Sequence, residues 1–168
     1  QGENLILEFQ SAQGNPTLAV QIAQKFRSNK PDVIVAIPTI AAQAAMNATK
    51  DTGIPVVFSS VTDPIAAKLV TRLEAPEGNV TGVSNFVPVE PQFKLFKRVL
   101  PTLKTLGVIY NPGEANSTAL NAKMEKVASS FGLSLVMAVA SKSSEVSAAT
   151  RSLCGKGDAV FVNYDNSA

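Results

Sequence analysis

The chain has 168 residues, 45% hydrophobic, 17% charged and 6% aromatic, enough apolar material for a sizeable core. Asp, Lys, Pro or Gly interrupts every apolar run before the roughly 20 residues that cross a bilayer. Fifteen basic and 13 acidic residues leave a net charge of +2, which argues against nucleic acid as the main partner. There is no histidine, which removes the usual general base near neutral pH, every Ser/His or Cys/His nucleophile pair and the commonest metal ligand. Cys154 is the sole cysteine, so an internal disulfide and a multi-cysteine zinc site are excluded. With no Walker A loop or GxGxxG, a nucleotide-phosphate cradle is unsupported, and no cofactor or metal is expected. Gln1-Gly2-Glu3-Asn4 has neither a basic n-region nor an apolar h-region, so any targeting signal lies upstream or has been removed.

Seven apolar runs read as strands: Leu5–Phe9, Val33–Ile37, Val56–Phe58, Val80–Val83, Leu106–Tyr110, Leu133–Val139 and Ala159–Val162. They begin about every 23 to 28 residues and most are near-continuous, the pattern of parallel strands buried on both faces. Helical segments lie between them. Asn15 caps a helix with Pro16 at its first position, and Leu18, Ile22 and Phe26 fall on one face. Thr39 caps a second, over Ala41 and Ala42. Asp63-Pro64 repeats the capping device, with Leu69, Val70 and Leu73 as the buried stripe. Pro91 starts a helix carrying Phe93, Phe96 and Leu100, with Lys94, Lys97 and Arg98 on its solvated side. Another over 117–131 buries Leu120, Met124, Val127 and Phe131 and stops at Gly132. The last runs from Ser144 to Gly155, with Cys154 as a small core residue.

Alternation of strand and helix predicts an α/β protein built from right-handed βαβ units. The Gly- and Pro-flanked stretch 77–91 breaks the regularity and reads as a crossover between an N-terminal lobe, 1–85, and the start of a second lobe, 86–168. A piece of a (β/α)8 barrel is the rival architecture.

Ligands of parallel α/β folds sit beyond the carboxyl ends of the strands, where this chain places small polar residues. The first turn after Val33–Ile37, with Thr39, Ala41 and Ala42, offers unpaired backbone N–H groups to an anion, or is simply a capped helix. Asp63 is a helix cap or a ligand residue. Asp165 and Asn166, after the last strand, present a carboxylate to a cationic ligand, or form a turn or cap.

In order, NPTLAVQIAQKF (15–26), PDVIVAIPTIAAQAA (31–45), IPVVFSSVTDPIAAKLV (54–70), GNVTGVSNFVPVEPQFKLFKRVLP (78–101), LGVIYNPGEANS (106–117) and DAVFVNYDNSA (158–168) resemble the substrate-binding proteins of ABC importers, in the group that includes tryptophan- and tyrosine-type amino-acid binders. The resemblance implies a type I periplasmic-binding fold with two Rossmann-like parallel-sheet lobes, seen as a partial chain that begins at the second strand and stops within the second lobe. It also implies an extracytoplasmic receptor, periplasmic or extracellular and membrane-anchored, with a signal peptide and a lipid anchor upstream. Such a receptor binds a small molecule, an aromatic amino acid, and hands it to a membrane permease without catalysis. On the same ground Thr39, Ala41 and Ala42 take the ligand carboxylate, Ser60, Thr62 and Asp63 line the first lobe, and Asn116, Ser117, Asp165 and Asn166 face them. The alternatives are the sensing domain of a transcription regulator with the same fold and, against the lack of histidine, an α/β enzyme.

Overall fold

The structure, a computed structural model, describes residues 4–86 and 88–165. Its elements in chain order are α1 (Pro16–Asn29), β1 (Ile34–Ala36), α2 (Thr39–Thr49), β2 (Val56–Val61), β3 (Val80–Ser84), α3 (Val89–Val99), β4 (Thr105–Tyr110), α4 (Ala115–Ala128), β5 (Ser134–Val139), α5 (Ser143–Leu153) and β6 (Ala159–Val162), with a 3-10 turn at Ser129–Phe131. They form two three-stranded parallel sheets, ordered β1-β2-β3 and β5-β4-β6. Two separate sheets, the second with its first strand in the middle, exclude the barrel, whose strands join one sheet in sequence order.

The two sheets are covered differently. In the first, Ile34, Ala36, Val56, Phe58, Val61 and Val80 form one core with Ala42 and Ala45 of α2 and with Leu69 and Val70. The alternate residues of β1 stay open, Val35 being 62% exposed, so the expected burial on both faces fails at this edge. Helix α1 packs on α2 through Ala19 and Ala23 against Ala44 and Ala48, leaving Leu18, Ile22 and Phe26 half-buried beside that alanine stripe. In the second sheet, Leu106 and Val108 join Val89, Phe93, Leu120, Met124 and Leu133 on one face, while Ile109 meets Ala138, Ala149 and Leu153 of α5 on the other.

Local chemistry explains the element boundaries. Asn15 caps α1, its Oδ1 accepting from the Thr17 and Leu18 amides at 2.9 and 3.1 Å. Helix α3 starts at Val89, two residues before Pro91, because a proline in the first turn removes an amide that has no helical partner. Helix α4 likewise starts at Ala115, before Ser117. Gly132 terminates the turn after α4 at φ 61.

Three expectations are corrected. Residues 5–9 form no strand, and Leu5, Ile6, Leu7 and Phe9 are exposed. A strand exists through its ladder of hydrogen bonds, and no described strand pairs with this run. Its fixed point is Glu8, which accepts from Lys25 and Asn29 of α1. The segment after Asp63-Pro64 makes a single turn, closed by Leu69 N–H to Pro64 O and ended by Lys68 in the left-handed region at φ 57. Leu69 and Val70 are buried as expected, but Leu73 is exposed. Cys154 is exposed at the end of α5, outside the core.

Candidate functional site

Parallel strands bring the loops after β1, β2 and β3 to one edge of the first sheet. In the loop after β1, α2 is capped by Pro38 and no side chain caps it. Thr39 is its first residue rather than its cap, and is buried. The Ala42 amide already donates to Pro38 O at 3.0 Å, so the amides without a helical partner belong to Thr39, Ile40 and half-buried Ala41. At the end of β2 the ladder with β3 shifts register between Phe58 and Val61, and Ser60 sits in the bulge at φ 57. Gly82 permits this: a Cβ there would stand 2.1 Å from Phe58 O. The bulge leaves Ser60 exposed and buries Thr62, whose carbonyl accepts from Ser84 Oγ at 3.3 Å.

Asp63 is both a cap and an ion-pair partner. Its Oδ1 accepts from the Ala66 amide at 3.0 Å and its Oδ2 from Lys123 Nζ at 2.7 Å. Burial pushes its carboxyl up, but the Ala66 amide and Lys123 together outweigh that and hold it below the usual carboxylate range.

The second sheet gathers a denser polar cluster where β4 and β6 end and α4 begins. Asn163, directly after β6, donates to Ser117 O, Ser117 Oγ and Asn121 Oδ1 at 3.1, 3.2 and 2.8 Å. Asn116 donates to Tyr164 O at 2.7 Å, and Ser117 Oγ to Asp165 Oδ2 at 3.4 Å. Asn111 holds the loop: its Oδ1 accepts from the Gly113 amide, and its Nδ2 donates to Glu114 Oε1 and Ser141 O. Asn111, Glu114, Asn116, Ser117, Asn121 and Asn163 are all buried. Asn116 Oδ1 and Asn121 Nδ2 are buried with no hydrogen-bond partner. Asn166 lies outside the described residues.

Of the expected positions, the structure therefore joins Asn116, Ser117 and Asp165 in one cluster, and Ser60, Thr62 and Asp63 on one strand end. Helix α4 is where the two halves meet. Ala115 packs on the first sheet's core, and Lys123, two turns on along the same face, reaches Asp63. The sequence reading missed Glu114, Asn121, Asn163 and Lys123. The available signal was Asn116, Ser117 and Asn121 falling on one face of α4, with Ala115, Ala119 and Lys123 on another. A shallow open depression of about 610 Å³, lined by Lys50, Gly53, Pro55 and Asn79, lies at the opposite edge of the first sheet, among the amino ends of β2 and β3. It is remote from all these loops, and the polar strand ends are the better candidate, because parallel α/β folds bind ligands at carboxyl ends.

Two parallel sheets with polar loops at their carboxyl ends, linked across α4, define a periplasmic-binding-type α/β protein. Residues 1–168 match the family described as ABC transporter substrate binding protein, and the chain belongs to it. This is a family of binding proteins, not of enzymes. The chain is 43% identical over 165 residues to a tyrosine-binding protein of Clostridioides difficile, covering 98% of this chain and 47% of that one. It superposes with a TM-score of 0.92, at 33% identity, on an ABC domain from Streptococcus pneumoniae in complex with L-Trp, covering 97% of this chain and 56% of that one. On the ligand-free, open structure of a substrate binding protein with adhesive properties from Clostridium difficile the TM-score is 0.64 at 44% identity, covering 99% of this chain and 56% of that one. The chain spans about half the length of these relatives. No described helix is long and apolar enough to cross a membrane.

Proposed function

We propose that the chain is part of the solute receptor of an ABC importer, working in the periplasm or at the outer face of the membrane, anchored by lipid and delivering its cargo to a membrane permease. The cargo is a small zwitterion, an aromatic amino acid, held between two lobes that meet in the stretch after β3 and comprise residues 1–85 and 86–168 of this sequence. The ligand carboxylate would lie on the first turn of α2, at the Thr39, Ile40 and Ala41 amides, with Ser60 and Thr62 alongside; the Ala42 amide is already engaged by Pro38 O, and Asp63 by the Ala66 amide and Lys123. The ammonium group would face Asn116, Ser117, Asp165 and Asn166.

One observation carries this reading: Asn116 Oδ1 is buried and unpaired within hydrogen-bond networks that also hold Glu114 and Asp165. An unpaired buried acceptor costs about 1–3 kcal/mol, and a donor such as an ammonium group removes that cost. The carboxylates nearby supply the opposite charge. Binding needs no proton transfer or nucleophile, in keeping with a chain that has no histidine. Thermal-shift screening of the full-length protein against amino acids, sugars and nucleotides tests the reading. Stabilisation by L-tryptophan or L-tyrosine is expected; stabilisation by a sugar phosphate or nucleotide alone would overturn it.

A further inference from the structure

Lys123 occupies an unusual position. It projects from α4, a helix of the second sheet, yet its ammonium group lies 2.7 Å from Asp63 Oδ2 at the carboxyl end of the first sheet. The same group sits 4.3 Å from the centre of the Phe86 ring, in the segment that crosses between the sheets. The side chains are 35% and 22% exposed for Lys123 and Asp63, so the pair is partly shielded from water. Phe86 itself is more than half exposed, and its remaining surface is positioned by the cation above it. One side chain thus ties together both sheets and the crossover.

An ion pair that bridges two sheets exists only in arrangements that hold its partners within reach. This chain's arrangement matches the L-Trp complex far better than the ligand-free, open structure, although the latter is the more similar in sequence. We infer that Lys123, Asp63 and Phe86 form an interlobe latch that stabilises this arrangement and so tunes ligand affinity without touching the ligand. The affinity effect rests on the reading in the preceding section; the effect on lobe arrangement does not. A latch made in one state and lost in the other shifts their populations by its own differential free energy. For a partly exposed ion pair together with its cation–π contact that corresponds to about 3- to 10-fold in affinity. In this role Lys123 is a positioning residue.

The test uses the full-length protein with three variants: Lys123→Met, which keeps the stem and loses the charge; Lys123→Arg, which restores it; and the double variant Asp63→Asn with Lys123→Met. L-tryptophan and L-tyrosine are titrated calorimetrically. In a Cys154→Ser background, spin labels at exposed Asn47 and Glu125 report the interlobe distance without ligand. Lys123→Met should weaken binding about 3- to 10-fold, mainly through faster dissociation, and reduce the short-distance population. Lys123→Arg should recover both, and the double variant should fall no further than Lys123→Met. Affinity within twofold of wild type together with superimposable distance distributions would overturn the latch. Should the wild type bind neither amino acid, the receptor reading fails while the distances still decide the latch: a loss of the short population supports it and superimposable distributions refute it.

Discussion

The two sheets solve the same problem with different materials. The first builds its polar edge from backbone: amides without a helical partner at the start of α2, a bulge at Ser60 and a glycine that lets β3 stay close beside it. Its core is one-sided, and β1 keeps an open apolar face. The second builds its edge from side chains, six of them buried and polar, and it is packed on both faces by α3, α4 and α5. Buried polar side chains need rigid surroundings to stay paired. Backbone groups fixed by secondary structure need less support. Within this stretch of the protein, the sheet packed on both faces is the one that carries the buried network.

The largest predicted effect probes the second sheet's cover. Phe93 is fully buried against Phe96 and Phe131, so Phe93→Ala should cost about 3–5 kcal/mol in denaturant unfolding of the full-length protein. A loss below about 1 kcal/mol would mean that this face is not the tight core described. Next comes the first sheet's backbone. Gly82→Ala places a methyl group 2.1 Å from Phe58 O, a backbone atom that cannot swing aside, and should cost up to about 3 kcal/mol; an unchanged melting temperature would show that the bulge at Ser60 relaxes freely. Asn163→Leu tests the side-chain edge. It strips a donor from Ser117 O and Asn121 Oδ1 and should cost about 1–3 kcal/mol, with ligand affinity falling as Ser117 loses its position.

The smallest effect is acid sensitivity at the junction. The Asp63 carboxyl is held below the usual range in the folded protein, so its stabilisation is complete above the unfolded value and is lost as pH falls through the lowered one. The loss should be below about 1 kcal/mol for a pair this accessible. It should vanish from the unfolding profile of Asp63→Asn, and a profile identical to wild type would remove Asp63 from the account.

What the sequence revealed follows the range of the forces involved. The strands from Val33 onward, the Asn15-Pro16 start of α1 and the stop at Gly132 are written in local composition, and all could be read. Residues 5–9 have the same apolar character, but a strand is a pairing, and pairing is not local. Asp63 could be read as a cap, whereas the early end of its turn depends on Lys68 entering the left-handed region, which nothing in its side chain announces. At the candidate site, Asp165 was legible as a candidate because it follows a strand, and Asn116 and Ser117 through the family resemblance. Asn121 and Lys123 were not: a polar residue two turns into a helix looks solvated until a partner 42 or 60 residues away is known to face it.

Whether the polar edge of the second sheet recognises a charged ligand is decided at Asp165. Calorimetric affinity for L-tryptophan and L-tyrosine, measured with the melting temperature for full-length wild type and Asp165→Asn, separates recognition from folding. A hydrogen bond to a charged group is worth about 1.5–3 kcal/mol, so the account predicts roughly 10- to 150-fold weaker binding at a melting temperature within a degree or two. Affinity within about twofold of wild type would contradict it and leave Asp165 with a structural role, among its contacts the Ser117 hydroxyl.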